Sequence, residues 1–282
     1  MSCNVSTAEF EPVVSFNALK RARTTIEDFA LTYFPYHGLK VPEDFFKYID
    51  ILVYVEGTIY HIDESNERLS KRGISLEHAH AEALQTLRQV LVQQGLWTEA
   101  IAAELEKGVA YWRAERDICK RLSVHASAPA GHPDEPCISI EEVHAASQSK
   151  SFDYRVLNLL LFGLRKELPQ PELLAFLRVD EHLVDIGDDL VDYEEDVLEN
   201  CFNIYRGYVH VYRGDAPERL MRRIAELEAE HARLLAALPA HQRAHFRQRH
   251  ASASSVPGSG NWSIPALILN DSQYRMRVCD SK

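Results

Sequence analysis

Basic residues are the minority charge in this 282-residue chain: 31 Lys and Arg stand against 42 Asp and Glu, a formal net charge of −11. That balance excludes a nucleic-acid binder working by broad phosphate neutralisation. It leaves an anionic substrate open, because a bound cation inverts the local charge logic. Cysteine is scarce too. Five thiols (Cys3, Cys119, Cys137, Cys201, Cys279) are scattered, odd in number and free of any CxxC pair. This argues for reduced thiols in an intracellular compartment rather than a disulfide framework. No apolar run reaches the roughly 18 residues of a membrane span. The first residues, MSCNVSTAEFEPVV, lack the basic start and apolar stretch of a signal peptide. The expectation is a soluble, cytoplasmic protein with no nucleic-acid partner. G-x-S-x-G, P-loop and dinucleotide fingerprints are all missing.

Glycine and proline are sparse, at twelve each, and they cluster. Ser123 to Ser139 and Ala251 to Asn261 are rich in small and polar residues and read as loops inside one domain, taken as 1–282. Elsewhere the apolar period is helical. It predicts helices over Pro42 to Leu69, Ser75 to Gln94, Thr98 to Leu122 and Glu218 to Leu238. Ser139-Ile-Glu-Glu142 reads as a capping box opening another, with Ser151 to Asp153 as a break before Leu164. Pro171 suits the first turn of a helix running to about Tyr212. No alternating strand pattern and no internal repeat occurs. The fold class is all-α, a single-domain helical bundle.

One segment has no basic residue where a solvated helix would have several. From Val179 to Tyr205 there are ten Asp and Glu and no Lys or Arg. Exposed helix faces usually interleave the two signs at four-residue spacing. On a straight helix of about 100° per residue, Glu181, Asp185, Asp188, Asp192, Asp196 and Glu199 share one face. Leu183, Ile186, Leu190, Val191, Val197 and Leu198 lie opposite, toward a core. Carboxylates without counter-charges suggest that a hard divalent cation, Mg²⁺, Mn²⁺ or Ca²⁺, supplies the missing charge. A shorter acidic stripe lies upstream, where Glu56, Tyr60, Asp63 and Glu67 share a helix face.

Asp188-Asp189-Leu-Val-Asp192-Tyr-Glu-Glu-Asp196, followed by Asn203, resembles the second metal motif of class I terpene synthases. It also satisfies the DDxxD pattern of trans-prenyl diphosphate synthases. Ile62-Asp63-Glu64-Ser-Asn-Glu67 resembles their first aspartate-rich motif. The resemblance implies the helical class I isoprenoid synthase fold and a Mg²⁺ cluster, with Mn²⁺ as the alternative. Its ligands would be Asp63, Glu64, Glu67, Asp188, Asp192 and Asp196. The implied reaction ionises an allylic prenyl diphosphate to a carbocation. Arg155 falls in the region of the family's diphosphate-sensing arginine. Tyr274 and Arg275 resemble, in reversed order, the pair that closes over the diphosphate. Asp63, Asp188 and Arg155 are thus the implied catalytic set, and Tyr274 and Arg275 join Arg155 on the diphosphate. Glu195 stands where the family often has Lys.

The absence of an Arg-Arg pair after either acidic motif favours a one-substrate cyclase or lyase. Chain-elongating and head-to-head prenyltransferases share the metal chemistry and stay open, as does a homodimer. A di-iron carboxylate bundle would need Glu-x-x-His pairs. Glu77-x-x-His80, Glu141-x-x-His144 and Glu228-x-x-His231 have that spacing, in polar surroundings unlike a bundle core. A non-enzymatic helical scaffold is the remaining alternative.

Overall fold

The computed structural model describes residues 14–70, 77–127, 136–254 and 262–280, without side chains at 67–70, 77–80, 125–127, 252–254 and 280. Every regular element among the described residues is helical, with no strand. This bears out the all-α expectation. No helix among them is long and apolar enough to cross a membrane. Close contacts divide the chain into two units: Met1–Leu31 with Lys40–Trp97, and Thr32–Leu39 with Thr98–Lys282.

The smaller unit holds most of α1 (Phe16–Tyr33), with α2 (Phe45–Ser70) and α3 (Glu77–Gln93). Ala18, Ala22, Ile26, Phe29 and Ala30 recur at helical spacing and are fully buried on α1, the stripe that burial of an amphipathic helix requires. Ser15 starts α1: its hydroxyl accepts from Ala18 N at 3.0 Å. Gly57 of α2 lets α1 come close; a Cβ there would meet Val14 at 3.3 Å. The predicted bounds of α2 and α3 hold to within a few residues.

The larger unit opens with a 3-10 turn, Phe34–His37, and continues with α4 (Glu99–Ser127), α5 (Ile140–Ser149) and α6 (Phe152–Leu164). The capping box is present: Ser139 Oγ accepts from Glu142 N, and Glu142 Oε2 accepts from Ser139 N at 2.7 Å. The break between α5 and α6 falls at Lys150 and Ser151, where Ser151 adopts a left-handed φ of 53°. α6 is apolar around most of its circumference (VLNLLLF) and is accordingly buried. It lies against α4, closely enough that a Cβ on Gly108 would sit 2.4 Å from the Phe152 ring.

The loop expectation for Ser123 to Ser139 needs correction, because α4 continues to Ser127; residues 128–135 lie outside the described ones. Similarly, Ala251 to Ser254 belong to α11 (Ala240–Ser254), not to a loop, and 255–261 are outside. Small polar composition tolerates a frayed last helical turn as readily as a loop, so composition misplaced both boundaries.

The long helix expected from Pro171 to Tyr212 is three: α7 (Pro171–Val191), α8 (Tyr193–Glu199) and α9 (Ile204–Tyr212). Asp192 bends the chain (φ −90°, ψ 3°), and Asn200 ends α8 in a left-handed conformation at φ 63°. Asn200 and Asn203 supply the local chemistry: asparagine tolerates the left-handed region, and Asn203 is an N-cap accepting from Arg206 N at 3.1 Å. α10 (Ala216–Ala237) packs on α7 and α9, and α5 packs on α9. At that last crossing a Cβ on Gly207 would lie 2.7 Å from both Val143 methyls. α12 (Asp271–Asp280) packs on α4 and α8. Tyr193, Val197, Ile204, Tyr205, Leu220 and Ile224 form the middle of the core.

Arg206 fastens this region. Its guanidinium is 2% exposed and donates to Cys201 O at 2.7 Å, Asn200 Oδ1 at 2.7 Å and Asp271 Oδ2 at 2.8 Å. It therefore ties the α8–α9 connection to the first residue of α12.

Candidate functional site: the carboxylate ladder of α7 and α8

The ten acids of the 179–205 segment do not form one solvated stripe. Asp180, Glu181 and Asp189 are buried, whereas Val184 and Val191 are 55% and 83% exposed. So α7 turns much of its acid inward, and Val191 is not a core residue as the helical projection had it. The projection fails because the bend at Asp192 and the stop at Asn200 separate α7 from α8. The spacing nonetheless survives. Asp192 N donates to Asp188 O at 2.8 Å and Asp196 N to Asp192 O at 2.9 Å. Asp188, Asp192 and Asp196 thus follow one another turn by turn across the bend.

Several acids find counter-charges elsewhere in the chain. Asp180 accepts from His231 at 3.0 Å and pairs with Arg249. Burial alone would raise the Asp180 pKa, but His231 and Arg249 hold it below the ordinary value. Asp189 takes the Lys150 ammonium at 2.6 Å and the Ile204 amide at 2.7 Å. Burial works against the Lys150 charge, yet Asp189 and Asp185 raise its pKa above that of a free lysine. Asp185 accepts from Ser151 Oγ at 2.7 Å. Asn203 Nδ2 donates to Asp196 Oδ2 at 2.9 Å and to Asp189 O.

Even so, carboxylates outnumber cations here. Asp185, Asp188, Asp189 and Asp196 all feel the one Lys150 charge. Burial pushes Asp185 up to about 7 and Asp196 up to about 6. Asp189, which is buried, is raised as well, and so is Asp188, whose carboxyl is partly desolvated by the surrounding chain although the residue is exposed. Among the described residues, neither the Asp188 nor the Asp192 side chain makes an ion pair or hydrogen bond, and both are exposed.

Arg155 is 6% exposed and committed internally: to Glu104 at 2.8 Å, Lys150 O at 3.0 Å and Ser149 O at 3.2 Å. It closes the C-terminal carbonyls of α5 and holds the Lys150 backbone. Tyr274 donates to Glu194 at 3.0 Å. Arg275 donates to Val197 O at 2.7 Å and to Asn200 Oδ1 at 3.1 Å, capping the end of α8. In the smaller unit, Asp63 pairs with Arg21 at 3.7 Å and Glu64 accepts from Ser15 Oγ at 2.8 Å. The Glu67 side chain lies outside the described residues.

Sequence reasoning missed Lys150, Asp189 and Arg206. Asp189 was visible only as the second Asp of a DDxxD string. Lys150 carried a weak signal, as the last residue before a helix break.

The donor set is all carboxylate oxygen, which suits a hard divalent cation. Among the described residues no group of three or more His, Cys, Asp or Glu is placed to hold a metal ion. Mg²⁺ usually takes only one or two carboxylates and completes its shell with water and phosphate, so the donors present fit that use. The Glu-x-x-His pairs are spent otherwise. His144 meets Tyr208 at 2.7 Å, His231 meets Asp180, and Glu228 accepts from Trp262 at 2.8 Å. The Glu77 and His80 side chains are outside the described residues. Compared with known proteins, the chain matches no family model, no curated sequence and no solved structure.

Proposed function

We propose that the chain is a Mg²⁺-dependent enzyme acting on an allylic prenyl diphosphate, a terpene synthase-like lyase of the class I isoprenoid synthase type. The observation that carries this reading is the excess of carboxylate on α7 and α8. Asp185, Asp188, Asp189 and Asp196 share the one Lys150 charge, and the exposed Asp188 and Asp192 make no ion pair or hydrogen bond of their own among the described residues. Such a site repels an anion until a divalent cation arrives, and attracts one afterwards.

One or two of Asp188, Asp192 and Asp196 would hold each metal ion, with water and diphosphate oxygens as its other ligands and Mn²⁺ as the alternative to Mg²⁺. Bound there, the metal would neutralise the departing diphosphate as its carbon–oxygen bond breaks. The chain's own residues do the rest. Asn203 holds Asp196 in place through its amide. Lys150 pairs with Asp189, which the Ile204 amide ties to the start of α9. Arg155 anchors the Lys150 backbone. Arg275 and Tyr274 brace α8 from α12, next to where the resemblance places the diphosphate.

The test is thermal melting with Mg²⁺ and inorganic pyrophosphate, followed by incubation with geranyl, farnesyl and geranylgeranyl diphosphates. A ligand that binds only the folded chain raises its melting temperature by mass action. The expected result is stabilisation that needs both ions together, and hydrocarbon or alcohol products by gas chromatography–mass spectrometry. A melting temperature unmoved by the pair would sink the reading and leave a scaffold. Longer diphosphates, formed only with added isopentenyl diphosphate, would convert it to a chain-elongating transferase.

A further inference from the structure

Glu181 lies deeper on α7 than the proposed metal ligands, seven residues and so about two turns before Asp188. It is 4% exposed, and neither carboxyl oxygen has a hydrogen-bond partner. The guanidinium beside it, Arg155, stands 3.8 Å away with its bonds directed to Glu104 and the carbonyls of Ser149 and Lys150. Asp180, Asp185 and Asp153 are close enough to act on Glu181 electrostatically. The other buried acids of α7 all have partners: Asp180 has His231 and Arg249, and Asp189 has Lys150 and Ile204 N. Glu181 alone among these three lacks hydrogen bonds to the chain. Buried polar groups in folded proteins are almost always satisfied, and an exception points to a missing water, ion or ligand.

We infer that Glu181 receives the positively charged centre of a bound ligand, and that this centre sits on an aliphatic chain whose anionic head engages the surface end of the ladder. The reading rests on the prenyl diphosphate proposal. When the carbon–oxygen bond of such a substrate breaks, its electron pair leaves with the diphosphate and a cation stays on the hydrocarbon. A carboxyl buried about two turns before Asp188 on the same helix would be in reach of that cation once the diphosphate is held at the surface. The neighbouring carboxylates make the position favourable for a cation and unfavourable for an anion. Burial first, and then Asp185 and Asp153, hold the Glu181 pKa well above the ordinary glutamate value, with Arg155 opposing. That is the condition of a carboxyl lacking a full counter-charge.

The experiment uses a stable mimic of the charge. N,N-dimethylfarnesylamine, protonated at neutral pH, and farnesol, its neutral counterpart, are titrated into the full chain by calorimetry without metal. The expected result is at least tenfold tighter binding of the amine, with the preference lost in Glu181→Gln and kept in the exposed control Glu199→Gln. Melting with Mg²⁺ and pyrophosphate is run on the same samples and is expected to be unchanged by Glu181→Gln. If the wild-type chain shows no amine preference, or Glu181→Gln keeps it, Glu181 has no such role. If the Mg²⁺–pyrophosphate stabilisation is missing from the wild type, the underlying reading fails instead. Should Glu181→Gln not fold, the amine-to-alcohol comparison on the wild type decides alone, with Glu181→Asp expected to weaken the preference without abolishing it.

Discussion

The Lys150 ammonium lies 2.6 Å from Asp189 Oδ1, thirty-nine residues away in the chain. The other oxygen of Asp189 accepts the Ile204 amide, so one carboxylate joins the α5–α6 break to the first residue of α9. Asp189 is 3% exposed and cannot be rescued by solvent. Replacing Lys150 with Met strands a buried negative charge, a loss on the order of 3 kcal/mol. Urea unfolding should show it. Lys150→Met combined with Asp189→Asn should recover part of the loss, because the amide needs no counter-charge. A single mutant as stable as the wild type would show that the pair is idle.

The metal ladder predicts a separation between neighbours. Asp188→Asn should abolish the stabilisation by Mg²⁺ and pyrophosphate while leaving the melting temperature of the unliganded chain within a degree or two. Asp189→Asn should instead lower that melting temperature, since its side chain holds α9 rather than facing solvent. Melting curves of both variants, with and without the ions, check this. Equal effects at the two positions would contradict the division.

Asn203 does three things: it caps α9, it binds Asp196 and it reaches Asp189 O. Asn203→Ala should cost about 1–2 kcal/mol from the lost cap alone. It should also loosen Asp196 and so weaken Mg²⁺ affinity, read by titration of the metal in the presence of pyrophosphate. Asn203→Ser keeps a capping hydroxyl but loses the amide donor to Asp196, so it should keep more of the stability than Asn203→Ala and still lose affinity.

Two buried histidines and two raised aspartates give opposite contributions to stability as the solution is acidified. Asp185 and Asp196, raised to about 7 and about 6, favour the folded chain as the pH falls, and the histidines disfavour it. His37 and His182 are buried, and burial lowers both from the ordinary value to about 4. Between pH about 6.5 and 4 the unfolded chain binds protons at these sites that the folded chain does not. The histidine contribution therefore rises with pH across this window and is lost on descending through it. Relative to the wild type, His37→Gln should gain stability as the pH falls through this window, as judged from melting temperatures of both chains at several pH values. The Asn158 carbonyl now 2.9 Å from His37 Nε2 would still have a donor.

Gly108 and Gly207 mark helix crossings with no room for a methyl group. An added Cβ would press on Phe152 and on Val143, which are held in the core. Each alanine substitution should cost about 1–3 kcal/mol. Gly95 offers a control for crowding, because nothing lies within 4 Å of a Cβ there; its φ of 69° adds only backbone strain.

Several helices were legible because their apolar period is written locally: Leu52, Val55, Ile59 and Ile62 recur at helical spacing in the predicted 42–69 helix and are buried on α2. Ser139 and Glu142 announced the start of α5 for the same reason, since a capping box needs only four residues. The acidic segment was legible as chemistry but not as geometry. A run without Lys or Arg shows that counter-charges must come from outside it. It does not show that Lys150, Arg155, His231 and Arg249 bring some of them. Nor did the pattern tell Asp188 from Asp189. Which of two adjacent aspartates turns inward depends on where α9 begins, and that depends on the chain reversing at Asn200.

The guanidinium of Arg206 has one further consequence. Its third partner, Asp271, opens α12, so α12 is not an appendage on a finished bundle. Cutting the chain before Asp271 would leave a fully enclosed positive group facing a hole. The turn between α8 and α9 would then lose its clasp, and Asn203 with it. A shortened version made for convenience should therefore be expected to damage the acidic ladder from behind, without touching any of its members.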